Sequence, residues 1–122
     1  MNEINRPKHY TTHSEGMECI ELTEMLMFNQ GNAIKYLWRA GLKGPTRVDL
    51  EKAQWYVIRA KVQQPELVHG GLTPPNMPGD DIIAKAARGF TPLVGAAIAL
   101  IANDAFDVAL QIIDRLIAES DS

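Results

Sequence analysis

Two helical segments joined by a glycine- and proline-marked turn constrain the fold of this chain more than any other feature of its sequence. Residues 32–40 carry apolar residues at helical spacing, namely Ile34, Leu37 and Trp38. Residues 47–62 repeat this pattern, and Gly41 and the pair Gly44-Pro45 end the first helix before the second begins. Because the turn is short, we expect the two helices to lie antiparallel as a hairpin.

The second half of the sequence predicts further helices and no strands. We expect helices over residues 82–88 and 92–102, and a last helix after residue 104. Asp80 or Asp81 is the predicted N-cap of the first of these, and Thr-Pro opens the second with a cap and a proline in its first turn.

Together these segments predict one compact all-α domain of five or six short helices. A helix over residues 17–28, ended by the polar residues 29–31, precedes the hairpin. Residues 1–62 form a basic helical module and residues 80–122 form apolar C-terminal helices. Between them, residues 63–79 hold four prolines and three glycines and are predicted as a loop.

Positive charge is concentrated in the hairpin, although the protein as a whole is acidic. The formal net charge of the chain is -3, whereas residues 31–62 hold seven cations against two acidic residues. The cations are Lys35, Arg39, Lys43, Arg47, Lys52, Arg59 and Lys61. A local basic surface on an acidic protein favours a small phosphate-bearing ligand over nucleic acid as the partner.

Polar side chains follow both helices of the hairpin at helical spacing, so two polar stripes are predicted to face one groove. The candidate ligand-binding residues in it are Asn32, Lys35, Tyr36, Arg39, Lys43, Arg47, Lys52 and Tyr56. His9 and Tyr10 join them if the polar N-terminal arm covers the ligand. An ordinary solvated surface has the same stripes, so that alternative stays open.

Three carboxylates are candidates for chemistry, namely Glu18, Glu21 and Asp49. One of them is a general base or holds Mg²⁺ if the basic helices bring a phosphate beside it. The alternatives are a solvated acidic face for the two glutamates and, for Asp49, a capping box with Thr46 as the N-cap. No cofactor is expected for binding alone, and Mg²⁺ is expected only if the protein is a kinase.

The single cysteine, Cys19, permits no intrachain disulfide, so the expected setting is a reducing cytoplasm. It is predicted to be a small buried hydrophobe rather than a reactive thiol. One cysteine and three scattered histidines show no zinc-ligand spacing, so no metal site is predicted. The first residues show no charged-then-apolar pattern, so a secretory signal is not expected, and the longest nearly apolar run, residues 90–102, is too short to span a bilayer.

The helix predicted over residues 92–102 is apolar nearly all round. A chain of 122 residues cannot easily surround such a helix. We therefore expect a homo-oligomer that associates through residues 90–118.

Motifs for catalysis are missing from the sequence. It has no GxxxxGK[ST] loop, no GxGxxG after a strand, no HExxH and no GxSxG elbow. Phosphoryl transfer needs a cradle for the donor phosphates, a metal ligand and a positioned nucleophile. The missing cradle favours binding over catalysis.

Four runs and Lys43 carry a resemblance to a family: PKHY at residues 7–10, ECI at residues 18–20, GNAIKYLWR at residues 31–39 and DLEKAQWY at residues 49–56. They resemble a small phage-encoded domain of formerly unknown function that includes the nucleotide kinase of a lytic coliphage. The resemblance covers about residues 5–60 and implies phage origin and nucleotide handling in the cytoplasm of an infected bacterium. It implicates the same ligand-binding positions except Arg47, together with Asp49.

Three functions remain open at this point. The first is non-catalytic capture of a nucleotide, for example a cyclic nucleotide used as an antiviral signal. The second is a nucleoside-monophosphate kinase without a P-loop. The third is a helical interaction module whose basic hairpin contacts a host protein or nucleic acid.

Overall fold

The structure, a computed structural model, describes residues 13–42, 46–69 and 78–120. These residues form six helices and no strand, which confirms the all-α prediction. In chain order the helices are α1 (Cys19–Thr23), α2 (Phe28–Arg39), α3 (Thr46–His69), α4 (Asp80–Arg88), α5 (Pro92–Ala102) and α6 (Phe106–Ser120). No helix within the described ranges is both long and apolar enough to cross a membrane.

The prediction of one helix over residues 17–28 is wrong. α1 ends at Thr23, and the polar residues that were expected to end a helix lie in the first turn of α2. Gln30 explains the difference, because its side-chain oxygen accepts a hydrogen bond from the Met27 N–H at 3.3 Å. At a helix start such a bond satisfies a backbone donor that has no partner inside the helix, so polar residues here begin a helix.

The prediction that residues 63–79 form a loop is wrong in its first part. α3 continues through Pro65 to His69, whereas residues 70–77 lie outside the described ranges. Proline has a backbone φ close to that of a helix and lacks an N–H, so a helix can contain it at the loss of one backbone hydrogen bond. The prediction for α4 also needs a small correction, because Gly79 is the N-cap and Asp80 and Asp81 lie in the first turn.

One hydrophobic core is shared by both halves of the chain. Its largest fully buried side chains are Leu22, Ile34, Leu37, Trp38, Val57, Ile98, Ile101 and Ile113. α4 and α5 approach closely at Gly95, where an added Cβ would lie 2.4 Å from the carbonyl oxygen of Ala87. The hairpin therefore packs against the C-terminal helices through this shared core.

α5 is mostly covered by its own chain, since five of residues 93–102 are buried and the other five are half-buried. The reason for assigning association to residues 90–118 therefore does not hold, whereas association itself stays a prediction. Exposed large apolar side chains lie elsewhere, and five of them are on the hairpin: Phe28, Val48, Trp55, Ile58 and Val62.

Two buried polar side chains join the N-terminal half to the C-terminal helices. The Gln30 amide nitrogen donates to the Ile101 carbonyl and to Asp104 Oδ1, each at 2.7 Å. His13 Nε2 donates to the Ala86 carbonyl at 3.0 Å, because His13 Nδ1 accepts the N–H of Glu15 at the same distance. Since buried polar groups need partners, these bonds fix how the N-terminal half packs on the C-terminal helices.

Candidate functional site

The facing sides of α2 and α3 bring three cations around one tyrosine ring. Lys35 Nζ and Lys52 Nζ each lie 5.3 Å from the centre of the Tyr36 ring, and the guanidinium carbon of Arg39 lies 5.6 Å from it. We call Lys35, Arg39 and Lys52 the cation cluster. The face of an aromatic ring attracts cations, which helps to hold three like charges together.

Tyr56 extends the aromatic surface from α3 towards the start of α2. Its ring is stacked on Tyr36 at a centroid distance of 5.8 Å and an interplanar angle of 12°. The rings of Phe28 and Trp55 contact it edge-on at 6.4 and 5.0 Å. One face of Tyr56 is therefore already covered, which limits its predicted role as a stacking surface for a base.

Arg39 and Asp49 join the two helices of the hairpin. Arg39 Nε lies 3.2 Å from Asp49 Oδ1. This contact is an ion pair without a hydrogen bond. Within the described residues, neither Arg39 Nε nor Asp49 Oδ2 has a hydrogen-bond partner. Asp49 is buried, so the nearby cation offsets part of the cost of burying its charge. The structural role of Asp49 is thus an ion pair across the hairpin, and Thr46, the predicted N-cap, is the first residue of α3.

Asn32 and Lys35 line an open cleft beside the cation cluster, which we call the Asn32 cleft. It has a volume of about 390 Å³ and runs between the end of α1 and the start of α2, with Phe28 on its wall. Asn32 donates its side-chain N–H to the Phe28 carbonyl at 2.9 Å, so its amide is held in place. Glu24 also lines this cleft, and its charge opposes an anion there.

A second cleft of about 390 Å³ lies on the other side of Phe28, and we call it the Trp55 cleft. Tyr56, Arg59, Asn29 and Gln63 also line it. The guanidinium carbon of Arg59 lies 5.5 Å from the centre of the Trp55 ring.

Phe28 and Trp55 were not predicted as site residues, because both were assigned to apolar helix faces. In the structure, Phe28 is 76% exposed and Trp55 is 56% exposed. For Trp55, the sequence position itself indicates that the side chain faces away from the core. It lies two residues from both Ala53 and Val57, about 200° around the helix from that buried row.

The structure does not place the remaining predicted residues in the cluster. Arg47 is 3.6 Å from Glu51 in an exposed pair. It shares a helical row with Gln54 and Lys61. Those two side chains contact α6, Gln54 at Asp114 and Lys61 at Asp107. Lys61 therefore belongs to the contact between α3 and α6, away from the groove.

The two predicted glutamates lie at the start of α1. There Glu21 accepts a hydrogen bond from the N–H of Glu18, as in a capping box. His9, Tyr10 and Lys43 lie outside the described residues. Within the described ranges, no group of three histidine, cysteine or acidic side chains is arranged to hold a metal ion.

Cys19 is buried, as predicted, and burial raises the pKa of its thiol to about 12. The thiol is therefore neutral at ordinary pH and a poor nucleophile, since the thiolate is the reactive form. Cys19 contributes packing to the core and no group to the site.

All of α2 and the first half of α3 lie in the part of the chain that is similar to a known family. Residues 4–58 match the model of a family described as a protein of unknown function (DUF3310), which spans α1, α2 and the first half of α3. No curated protein and no solved structure matches this chain. The implied likeness to a nucleotide kinase therefore stays a prediction.

Proposed function

We propose that this protein binds a small phosphate-bearing nucleotide at the cation cluster, as a capture protein that leaves its ligand intact. The observation that supports this is the convergence of Lys35, Arg39 and Lys52 on the Tyr36 ring, against one carboxylate, Asp49. Two lysines and an arginine are the side chains that phosphate binds best, as point charges and as a planar fork respectively. A cyclic nucleotide used as an antiviral signal is one ligand of this chemistry.

The surroundings of the cluster suit the rest of a nucleotide. Asn32 offers an amide to a base or sugar in the Asn32 cleft, where Lys35 also stands. Phosphate on the cluster and a polar contact in this cleft together select for a nucleotide over a free phosphate ion.

Capture is favoured over phosphoryl transfer by the position of the candidate carboxylates. Glu21 is engaged at the start of α1, and Asp49 faces Arg39 inside the hairpin. A kinase would need a carboxylate directed at a metal ion and a separate cradle for the donor phosphates. Asp49 is the candidate for that role if the protein is a kinase.

The experiment is to titrate the full chain with mono-, tri- and cyclic nucleotides in the presence of Mg²⁺, while following binding heat and product formation together. Binding heat with recovery of intact ligand after denaturation supports capture. Release of ADP supports a nucleoside-monophosphate kinase. If no nucleotide gives heat, the proposal is wrong and the hairpin is an interaction surface.

Variants of the cluster provide the first testable prediction. Lys35→Ala and Lys52→Ala should each weaken nucleotide binding by about 1.5–3 kcal/mol, the usual worth of a hydrogen bond to a charged group. Arg39→Ala should weaken it as well, with an added loss of folding stability because Asp49 loses its counterion. Isothermal titration calorimetry measures the affinity, and circular dichroism checks the fold.

Lys61→Ala is the matched control, because Lys61 lies on α3 but pairs with Asp107 on α6. It removes the same charge from the same helix and should leave affinity unchanged. Equal losses in Lys61→Ala and Lys52→Ala would mean that only overall charge matters, which contradicts a site at the cluster.

A further inference from the structure

The Trp55 cleft carries an inference that rests on the proposed function and extends it to the base of the ligand. We propose that this cleft is a nucleobase site, in which a base packs between Phe28 of α2 and the Trp55–Arg59 pair of α3. Four features support this assignment: exposed aromatic walls, the position of Arg59, two amides, and the contact between Tyr56 and Tyr36.

The exposure of the aromatic walls is unusual for a protein surface. Phe28 and Trp55 expose 76% and 56% of their surface, and both line the same cleft. Single exposed apolar side chains need no explanation, but two large rings that wall one concavity are typical of a ligand pocket. Tyr56 contacts both rings edge-on and so helps to hold both walls in place.

Arg59 adds a second planar group to the α3 wall. Its guanidinium lies over the Trp55 ring at 5.5 Å and also lines the cleft. Bases stack on aromatic rings and on guanidinium planes, so each member of the pair is a group of the right kind.

Two amides provide hydrogen bonds at the edge of a base. Asn29 donates its amide N–H to the amide oxygen of Gln63 at 2.7 Å, and both residues line the cleft. That bond uses neither the amide oxygen of Asn29 nor the amide nitrogen of Gln63. One acceptor and one donor in the same cleft suit the edge of a nucleobase, which presents the same two kinds of group.

The cleft lies within reach of the phosphate site. Tyr56 lines it, and the Tyr56 ring is 5.8 Å from the Tyr36 ring, around which the three cations stand. A nucleoside 5′-monophosphate with its base in the cleft therefore has its phosphate nearest Lys52, which lies one helical turn before Tyr56 on α3. This assignment moves base recognition from Tyr56 and the Asn32 cleft to Phe28, Trp55 and Arg59, and leaves Asn32 as a contact to the sugar.

Tryptophan fluorescence separates this inference from the proposed function. The protein has two tryptophans, and Trp38 is buried in the core while Trp55 stands in the cleft. A base packed on Trp55 quenches its emission and leaves that of Trp38 as an internal reference. The probes are AMP, GMP, CMP and dTMP, with ribose 5-phosphate as the ligand that has a phosphate and no base.

We expect at least one nucleotide to quench the emission and to bind more tightly than ribose 5-phosphate. Trp55→Ala should weaken that nucleotide about 10-fold or more, a typical loss for a stacked base, and leave ribose 5-phosphate unchanged. Trp55→Phe should retain part of the affinity. Ile58→Ala is the matched control, because Ile58 is also exposed on α3 but does not line the cleft.

Two results overturn the inference, and they differ in what they say of the proposed function. If nucleotides and ribose 5-phosphate bind equally and Trp55→Ala changes neither, phosphate binding stands and the base site is wrong. If none of these ligands binds, both proposals are wrong.

Discussion

At the scale of single residues, the chemistry of this protein lies in charge placed against aromatic rings. Lys35 and Lys52 come from different helices, yet both stand over Tyr36. The sequence spacing predicted only the row of its own helix on which each lysine lies. Cys19, by contrast, follows directly from its type, because a small apolar side chain on the inner row of a helix is usually buried.

The thiol of Cys19 provides a prediction on pH. Burial raises its pKa to about 12 from an ordinary value of 9.0, so above about pH 9 the unfolded chain loses a proton that the folded chain keeps. The stabilising contribution is complete below pH 9 and is lost as the pH rises further. The free energy of unfolding should therefore fall more steeply above pH 9 in the natural protein than in Cys19→Ala, by up to about 1.4 kcal/mol per pH unit.

Urea unfolding between about pH 8 and about pH 10.5 measures the two slopes, and tyrosine and lysine titration is common to both proteins. The cavity left by the alanine shifts the whole curve without changing its slope. Parallel curves would contradict the burial of an ionisable thiol.

At the scale of elements, two of the helix–helix contacts depend on glycine, which has no side chain. Gly95 lets α5 approach the last turn of α4, and Gly31 lets α2 approach Thr23 at the end of α1. Both glycines lie inside helices, where alanine would otherwise be preferred by about 1 kcal/mol. Close approach of the backbones explains why glycine occupies them.

The two glycines form a matched pair of tests. A Cβ at Gly95 would meet the Ala87 carbonyl oxygen at 2.4 Å, whereas a Cβ at Gly31 would meet the Thr23 carbonyl oxygen at 3.2 Å. Gly95→Ala should destabilise the fold by about 1–3 kcal/mol, as overpacking against backbone does, and Gly31→Ala should change stability by less than about 1 kcal/mol. Thermal and urea unfolding measure both, and a Gly95→Ala variant as stable as the natural protein would contradict the close approach.

At the scale of the whole molecule, the hairpin is one part of a single core. Ile34 and Leu37 of α2 are buried together with Ile98 and Ile101 of α5, and Gln30 bonds to the C-terminal end of the same helix. The region similar to the known family, residues 4–58, ends in the middle of α3. The site therefore depends on helices that contribute no residue to it.

A fragment of residues 1–62 should consequently fail to fold, although it contains the predicted basic module. Removing α4, α5 and α6 would expose the inner faces of α2 and α3 to water and leave Gln30 without its buried acceptor. We expect weak helical circular dichroism and poorly dispersed amide resonances, against a dispersed spectrum for the full chain. Cooperative unfolding of the fragment would show that the module is an independent domain.

The sequence alone determined the helical class, the α2–α3 hairpin and the inner row of α3, because the period of apolar residues reports which side of a helix is buried. It gave the wrong boundary at residues 29–31 and the wrong end for α3, because polar residues and proline suit a helix start or a loop equally well. Tertiary structure decided the rest. A helix period cannot say which neighbour covers a side chain, so only packing could join the cations around Tyr36 and leave Phe28 and Trp55 exposed beside them.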